Sequence, residues 1–132
     1  MNLIETTITF LRDVIPDVSA IYLFGSFERG DQHVASDVDV AVLGPVSLGP
    51  TRVFDVAQQL AAVVHRDVDL LDLRSATTVM RMQVVSTGRC VYSGDEVNRQ
   101  TFEMLVYSSY ARLNEERRDI LKDIVARGTV YG

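Results

Sequence analysis

At 132 residues, with 47% apolar and 23% charged positions, the chain fits one globular domain with a small core. A net charge of −5 and an isoelectric point near 4.9 exclude the basic stripe needed to grip a phosphate backbone, so nucleic acid is not expected as a direct substrate. The single cysteine, Cys90, excludes an internal disulfide, and His33 and His65 lie too far apart in sequence to suggest a zinc site.

In chain order, Leu3, Ile4, Ile8, Leu11 and Ile15 recur at helical spacing until Pro16 ends the pattern. This start lacks the basic opening and continuous apolar run of a signal peptide, and no later stretch is long enough to cross a bilayer. A cytoplasmic location without membrane contact is therefore expected. "AIYLF", Ala20 to Phe24, is a short apolar run bounded by turn residues, which predicts a strand buried on both faces. Gly25-Ser26 breaks it. "DVDVAVL", Asp37 to Leu43, resumes with period-two alternation, and "GPVSLGP", Gly44 to Pro50, reads as a loop.

From Thr51 to His65, Val53, Phe54, Ala57, Leu60, Ala61 and Val64 predict a second helix. "RDVDLLDL", Arg66 to Leu73, predicts a third strand, and a helix from about Ser75 to Val85 is closed by Gly88. "CVYS" is a short edge strand on which Cys90 is expected half-buried. The segment from Glu96 to Ala126 contains no Gly or Pro and sets Phe102, Leu105, Val106, Leu113, Ile120, Leu121 and Ile124 near one stripe of a long helix or two joined ones. The order α-β-β-α-β-α-β-α predicts an α+β domain built on one small mixed sheet packed by helices.

Residues two apart on a strand share a face, so Asp37 and Asp39 point together while Val38 and Val40 point into the core. Close carboxylates repel, and a divalent cation reverses that cost, because Mg²⁺ takes one or two carboxylates plus substrate phosphates. Gly25 allows a tight turn and close approach of a ligand, and Ser26 can cap a following helix whose first N–H groups favour phosphate. Asp69, flanked by Val68 and Leu70, repeats the parity of the first pair. On an adjacent strand it would complete a two-metal site or take a proton from an attacking hydroxyl. Asp67 shares that parity but opens the strand, and Asp72 has the opposite parity. An acidic strand face or a Gly-Ser turn alone would signify little; the joint pattern carries the weight.

Gly25-Ser26-x10-Asp37-x-Asp39 resembles the signature of the nucleotidyltransferase fold of the DNA polymerase β superfamily. "VDLLDL" and the small size are similar to its minimal nucleotidyltransferase (MNT) domains. The segment from Gly88 to Gly132 resembles the antitoxins of HEPN–MNT toxin–antitoxin pairs. The resemblance implies one nucleotidyltransferase domain over 1–132, with a catalytic sheet core at 1–94 and a C-terminal helical segment at 95–132. It implies a type VII-like antitoxin that transfers AMP from ATP to a tyrosine of a partner HEPN ribonuclease. Gly25 and Ser26 would hold phosphates, and Asp37, Asp39 and Asp69 would act as catalytic acids around magnesium, two ions in the full site.

Arg29 lies three residues beyond Ser26, within reach of a phosphate oxygen. Arg74 and Arg81 are candidates to line the triphosphate or to occupy a solvated face. Tyr107 and Tyr110 read as packing residues, and "NEERRDILKD" as a charged helix surface. The long stripe exceeds what so small a sheet can cover, so the helix is expected to contribute to a protein interface. Two other readings compete: an antitoxin that masks its toxin without chemistry, and a small-molecule nucleotidyltransferase acting on an antibiotic.

Overall fold

The computed structural model describes residues 1–25 and 37–127. Helix α1 spans Leu3–Val14, β1 Ala20–Leu23, β2 Val38–Leu43, α2 Pro50–Val64, β3 Val68–Asp72, α3 Thr78–Thr87, β4 Arg89–Ser93 and α4 Glu96–Ala126. Among the described residues the predicted order of elements holds, and Glu96–Ala126 is one helix.

The helices start where local chemistry supplies partners for their first N–H groups. Asn2 accepts from the Glu5 amide, Thr77 from Met80 and Asp95 from Asn98. Pro50 opens α2, where its missing N–H costs nothing, and His65 closes that helix in the left-handed region at φ 58°. Helix α3 starts three residues later than expected, because Ser75 is held in the turn by hydrogen bonds to Asp72.

The sheet order is β3-β2-β1-β4, with β1 antiparallel to both β2 and β4, and β2 parallel to β3. It is therefore a mixed sheet. One face sends Ile21, Leu23, Val38, Val40, Val42 and Leu70 against Leu11 and Ile15 near α1 and Val56 and Leu60 of α2. The opposite face sends Ala20, Tyr22, Ala41 and Leu43 against Val84 of α3 and Phe102 and Val106 of α4. Burial on both faces explains why "AIYL" contains no alternation.

Three side chains differ from expectation. Cys90 is exposed, because among the described residues edge strand β4 has no neighbour on its outer side. Arg74 donates to the Gly44 carbonyl at 2.8 Å and to Asn98 at 3.1 Å, and Arg81 donates to the carbonyls of Leu73 and Arg74. Both guanidiniums also face the Phe102 ring, so they fasten the β3–α3 turn to α4. Along α4 only Phe102 and Val106 are buried, while Leu105, Ile120, Leu121 and Ile124 remain exposed. A helix of 31 residues is about 46 Å long, more than twice the length of a six-residue strand.

Candidate active site

Gly25, Asp37, Asp39 and Asp69 lie at the end of the sheet where β1 finishes and β2 and β3 begin. As the chain leaves β1, the Phe24 amide donates to the Asp39 carbonyl at 3.1 Å, tying the exit of β1 to the start of β2. Gly25 follows at φ +61°, the left-handed region where a side chain is strained. A Cβ at Gly25 would lie 2.3 Å from Asp39 Oδ2, so the carboxylate rests against bare backbone. Glycine is thus required at this position by conformation and by space. Ser26 and Arg29 lie outside the described residues.

Asp39 is in Cα register with Asp69 across the parallel β2–β3 pair. Residues paired in this way point to the same side, about 4.8 Å apart, the ordinary spacing of neighbouring strands. Asp37 stands one step before the ladder with the parity of Asp39, and Asp67 stands likewise before Asp69, its carbonyl accepting from Val38 N–H at 2.8 Å. The four aspartates form two short rows. Asp39 is half-buried, whereas Asp37, Asp67 and Asp69 are exposed. Farther along the same face Ala41 and Leu43 are core, so carboxylates are tolerated only on the first rungs.

Two carboxylates about 5 Å apart at an effective dielectric near 20 repel by ~3 kcal/mol. Such an arrangement needs a cation or hydrogen-bond donors. Among the described residues, no three acidic, histidine or cysteine side chains close into a metal cage. What the described part does offer is hard oxygen donors from two strands beside a backbone cradle that a methyl group would fill. That donor set suits a magnesium ion sharing its coordination with nucleotide phosphates.

Asp72 proves to be structural. It is buried on the opposite face, and its carboxylate accepts from Ser47 Oγ, Leu48 N–H, Arg74 N–H and Ser75 Oγ at 2.9–3.2 Å. This fastens the β2–α2 loop, as its parity already suggested. A second polar network escaped the sequence reading. Tyr22 donates to Glu103 at 2.9 Å, and Arg99 pairs with Glu103 and Glu96. Burial, then the bond to Glu103, pushes the Tyr22 hydroxyl well above the usual tyrosine range. The pairing with Glu96, reinforced by Glu103, holds the Arg99 guanidinium more firmly protonated than usual. Its signal was the i, i+3, i+7 spacing of Glu96, Arg99 and Glu103; its connection to β1 required the fold.

Comparison with known proteins adds an independent line. The family model described as polymerase beta, nucleotidyltransferase matches residues 5–97. The chain is 43% identical over 119 residues to the protein adenylyltransferase MntA of Shewanella oneidensis, covering 90% of this chain and 85% of that one. Among solved structures, a toxin–antitoxin complex with AMP-PNP contains a chain 40% identical, at TM-score 0.82, with 95% of this chain and 99% of that chain covered. A complex of tri-AMPylated Shewanella oneidensis HEPN toxin with MNT antitoxin contains a chain 37% identical, at TM-score 0.76, covering 93% and 96%.

Proposed function

The chain belongs to the polymerase β nucleotidyltransferase family, and from that premise we propose that it is the antitoxin of a HEPN–MNT pair, a protein adenylyltransferase that moves AMP from ATP to a tyrosine of its toxin. The observation that carries the reading is the Asp39 carboxylate, pressed against Gly25 and in register with Asp69. Gly25 leaves room for close approach of the triphosphate at the exit of β1, and by the sequence motif Ser26 would hold a phosphate and Arg29 would add charge.

Asp37 and Asp39 would hold magnesium, and Asp69 would complete a two-ion site. Magnesium supplies charge neutralisation on the phosphate oxygens and a template for in-line displacement. The tyrosine oxygen bonds to the α-phosphorus as the bond from that phosphorus to the bridging oxygen of pyrophosphate breaks. Alternatively, Asp69, exposed at the strand start, would take the phenolic proton. The protein's main contribution is alignment of hydroxyl, phosphorus and leaving group, as is general for phosphoryl transfer. Among the described residues no helix is long and apolar enough to cross a membrane.

Masking by binding is the second reading, favoured by the uncovered apolar stripe of α4. Turnover separates the two. A catalytic antitoxin at a tenth of the toxin's concentration silences all of the ribonuclease, and only with ATP and Mg²⁺. A block that needs equal amounts and no ATP would replace chemistry with masking.

A further inference from the structure

We infer that the distal half of α4 is a docking arm that holds the toxin against the aspartate site, through apolar surface beside the acceptor tyrosine. This rests on the adenylyl-transfer reading and names how its protein substrate is positioned. The direction of α4 carries the inference. Asn98, in its first turn, donates to Ser19 Oγ at 2.7 Å, just before β1 begins. Glu103 accepts from the Tyr22 hydroxyl at 2.9 Å, near the end of β1. The helix therefore advances in the same direction as β1, toward the end of the sheet where Gly25, Asp37, Asp39 and Asp69 lie. Gly25 stands beyond Tyr22 by about 10 Å of strand, a distance that α4 covers in about seven residues. From Tyr110 to Ala126, about 24 Å of helix extends past that end.

The side it presents follows from the helical repeat. Phe102 and Val106 pack with Ala41 and Leu43 of the sheet. Asp39 shares the parity of Ala41 and Leu43, and Asp69 is in register with it, so both carboxylates point to the α4 side. Ile120 and Ile124 follow Phe102 and Val106 after five whole turns of about 3.6 residues, and so repeat their direction. Phe102 and Val106 are buried, yet Ile120 is 58% and Ile124 49% exposed. Among the described residues no strand lies beneath them. A tyrosine that reaches Asp39 and Asp69 comes from beyond the sheet's end, because α3 and α4 cover the rest of that face. The toxin that carries it therefore lies along the overhanging helix, where two isoleucines one turn apart fit apolar surface.

The test is the initial rate of AMP transfer by the full chain, with toxin varied at saturating ATP and Mg²⁺. Ile120→Ser/Ile124→Ser should raise KM for the toxin by about tenfold or more and leave kcat within about twofold. Transfer to a short peptide carrying the acceptor tyrosine should be unaltered, since the peptide does not reach the arm. Inserting two alanines after Asn114 keeps both isoleucines but turns them by about 200°, and should raise KM as much. Circular dichroism should match wild type for both variants. Unchanged KM in either variant, or an equal loss with the peptide, would overturn the inference while leaving the adenylyl-transfer reading intact. A dimer of the free antitoxin that the double variant dissolves would give the stripe to a second copy and overturn it too. Absence of AMP transfer by the wild-type chain would overturn both.

Discussion

Replacing Gly25 with alanine tests the closest contact in the site. The new Cβ would lie 2.3 Å from Asp39 Oδ2 and 3.0 Å from its Cγ, so the carboxylate must retreat by about 1 Å to reach ordinary contact. The left-handed backbone at φ +61° adds strain of ~1–2 kcal/mol. Stability should fall by that amount, seen as a lower urea midpoint with an unchanged m-value. Activity should fall further. A 1 Å misplacement costs on the order of 100-fold, or ~2.7 kcal/mol in the barrier, concentrated in kcat because the displaced group aligns the reaction. The assay is the initial rate of AMP transfer to the purified toxin over a range of ATP concentrations. In Gly25→Ala/Asp39→Asn the two losses should not add, since both remove the same carboxylate geometry. Transfer within threefold of wild type, at full occupancy of a folded protein, would refute the reasoning.

Other consequences follow from the surrounding structure. Asp72→Ala leaves the Ser47, Leu48, Arg74 and Ser75 donors without their acceptor and should cost ~2–3 kcal/mol in urea unfolding, with kcat near wild type in the folded fraction. Tyr22 has its folded pKa raised above the unfolded value of 10.0, so its share of stability is complete below pH 10 and drains as pH rises beyond it. Tyr22→Phe should flatten that alkaline decline; equal slopes for both proteins between pH 9 and pH 11 would count against the Tyr22–Glu103 bond. Ending the chain after Leu113 removes the exposed Ile120, Leu121 and Ile124 and should leave thermal stability within ~0.5 kcal/mol. The same truncation should weaken toxin binding by about tenfold or more in a surface-binding assay, and unaltered binding would remove α4 from the interface.

Much of the fold was legible because its signals are local. The alternation of "DVDVAVL" fixes which side chains enter the core, and Val38, Val40 and Val42 do so. The unbroken run "AIYL" marks a strand covered on both faces, and it is the inner strand between β2 and β4. Asp39 and Asp69 could be matched by parity alone, yet their side-by-side register depends on β2 and β3 pairing in parallel, which no local pattern specifies. Arg74 and Arg81 were ambiguous for a similar reason. A guanidinium serves a phosphate or a backbone carbonyl equally well, and only the neighbourhood of Gly44, Leu73 and Asn98 decides. In α4 the periodicity revealed the stripe but not where its cover ends, since helical spacing is the same whether or not a sheet lies beneath. Gly88 shows the same limit: it was legible as a helix stop, while its close approach to Leu23 was not.

Incubation of the antitoxin with α-labelled ATP, Mg²⁺ and its toxin bears most directly on the central claim, with Asp39→Asn run alongside. The label should appear on toxin tyrosine with the wild-type chain and vanish with the variant, whose circular dichroism and toxin binding stay unchanged. Labelling that persists in Asp39→Asn would contradict the account.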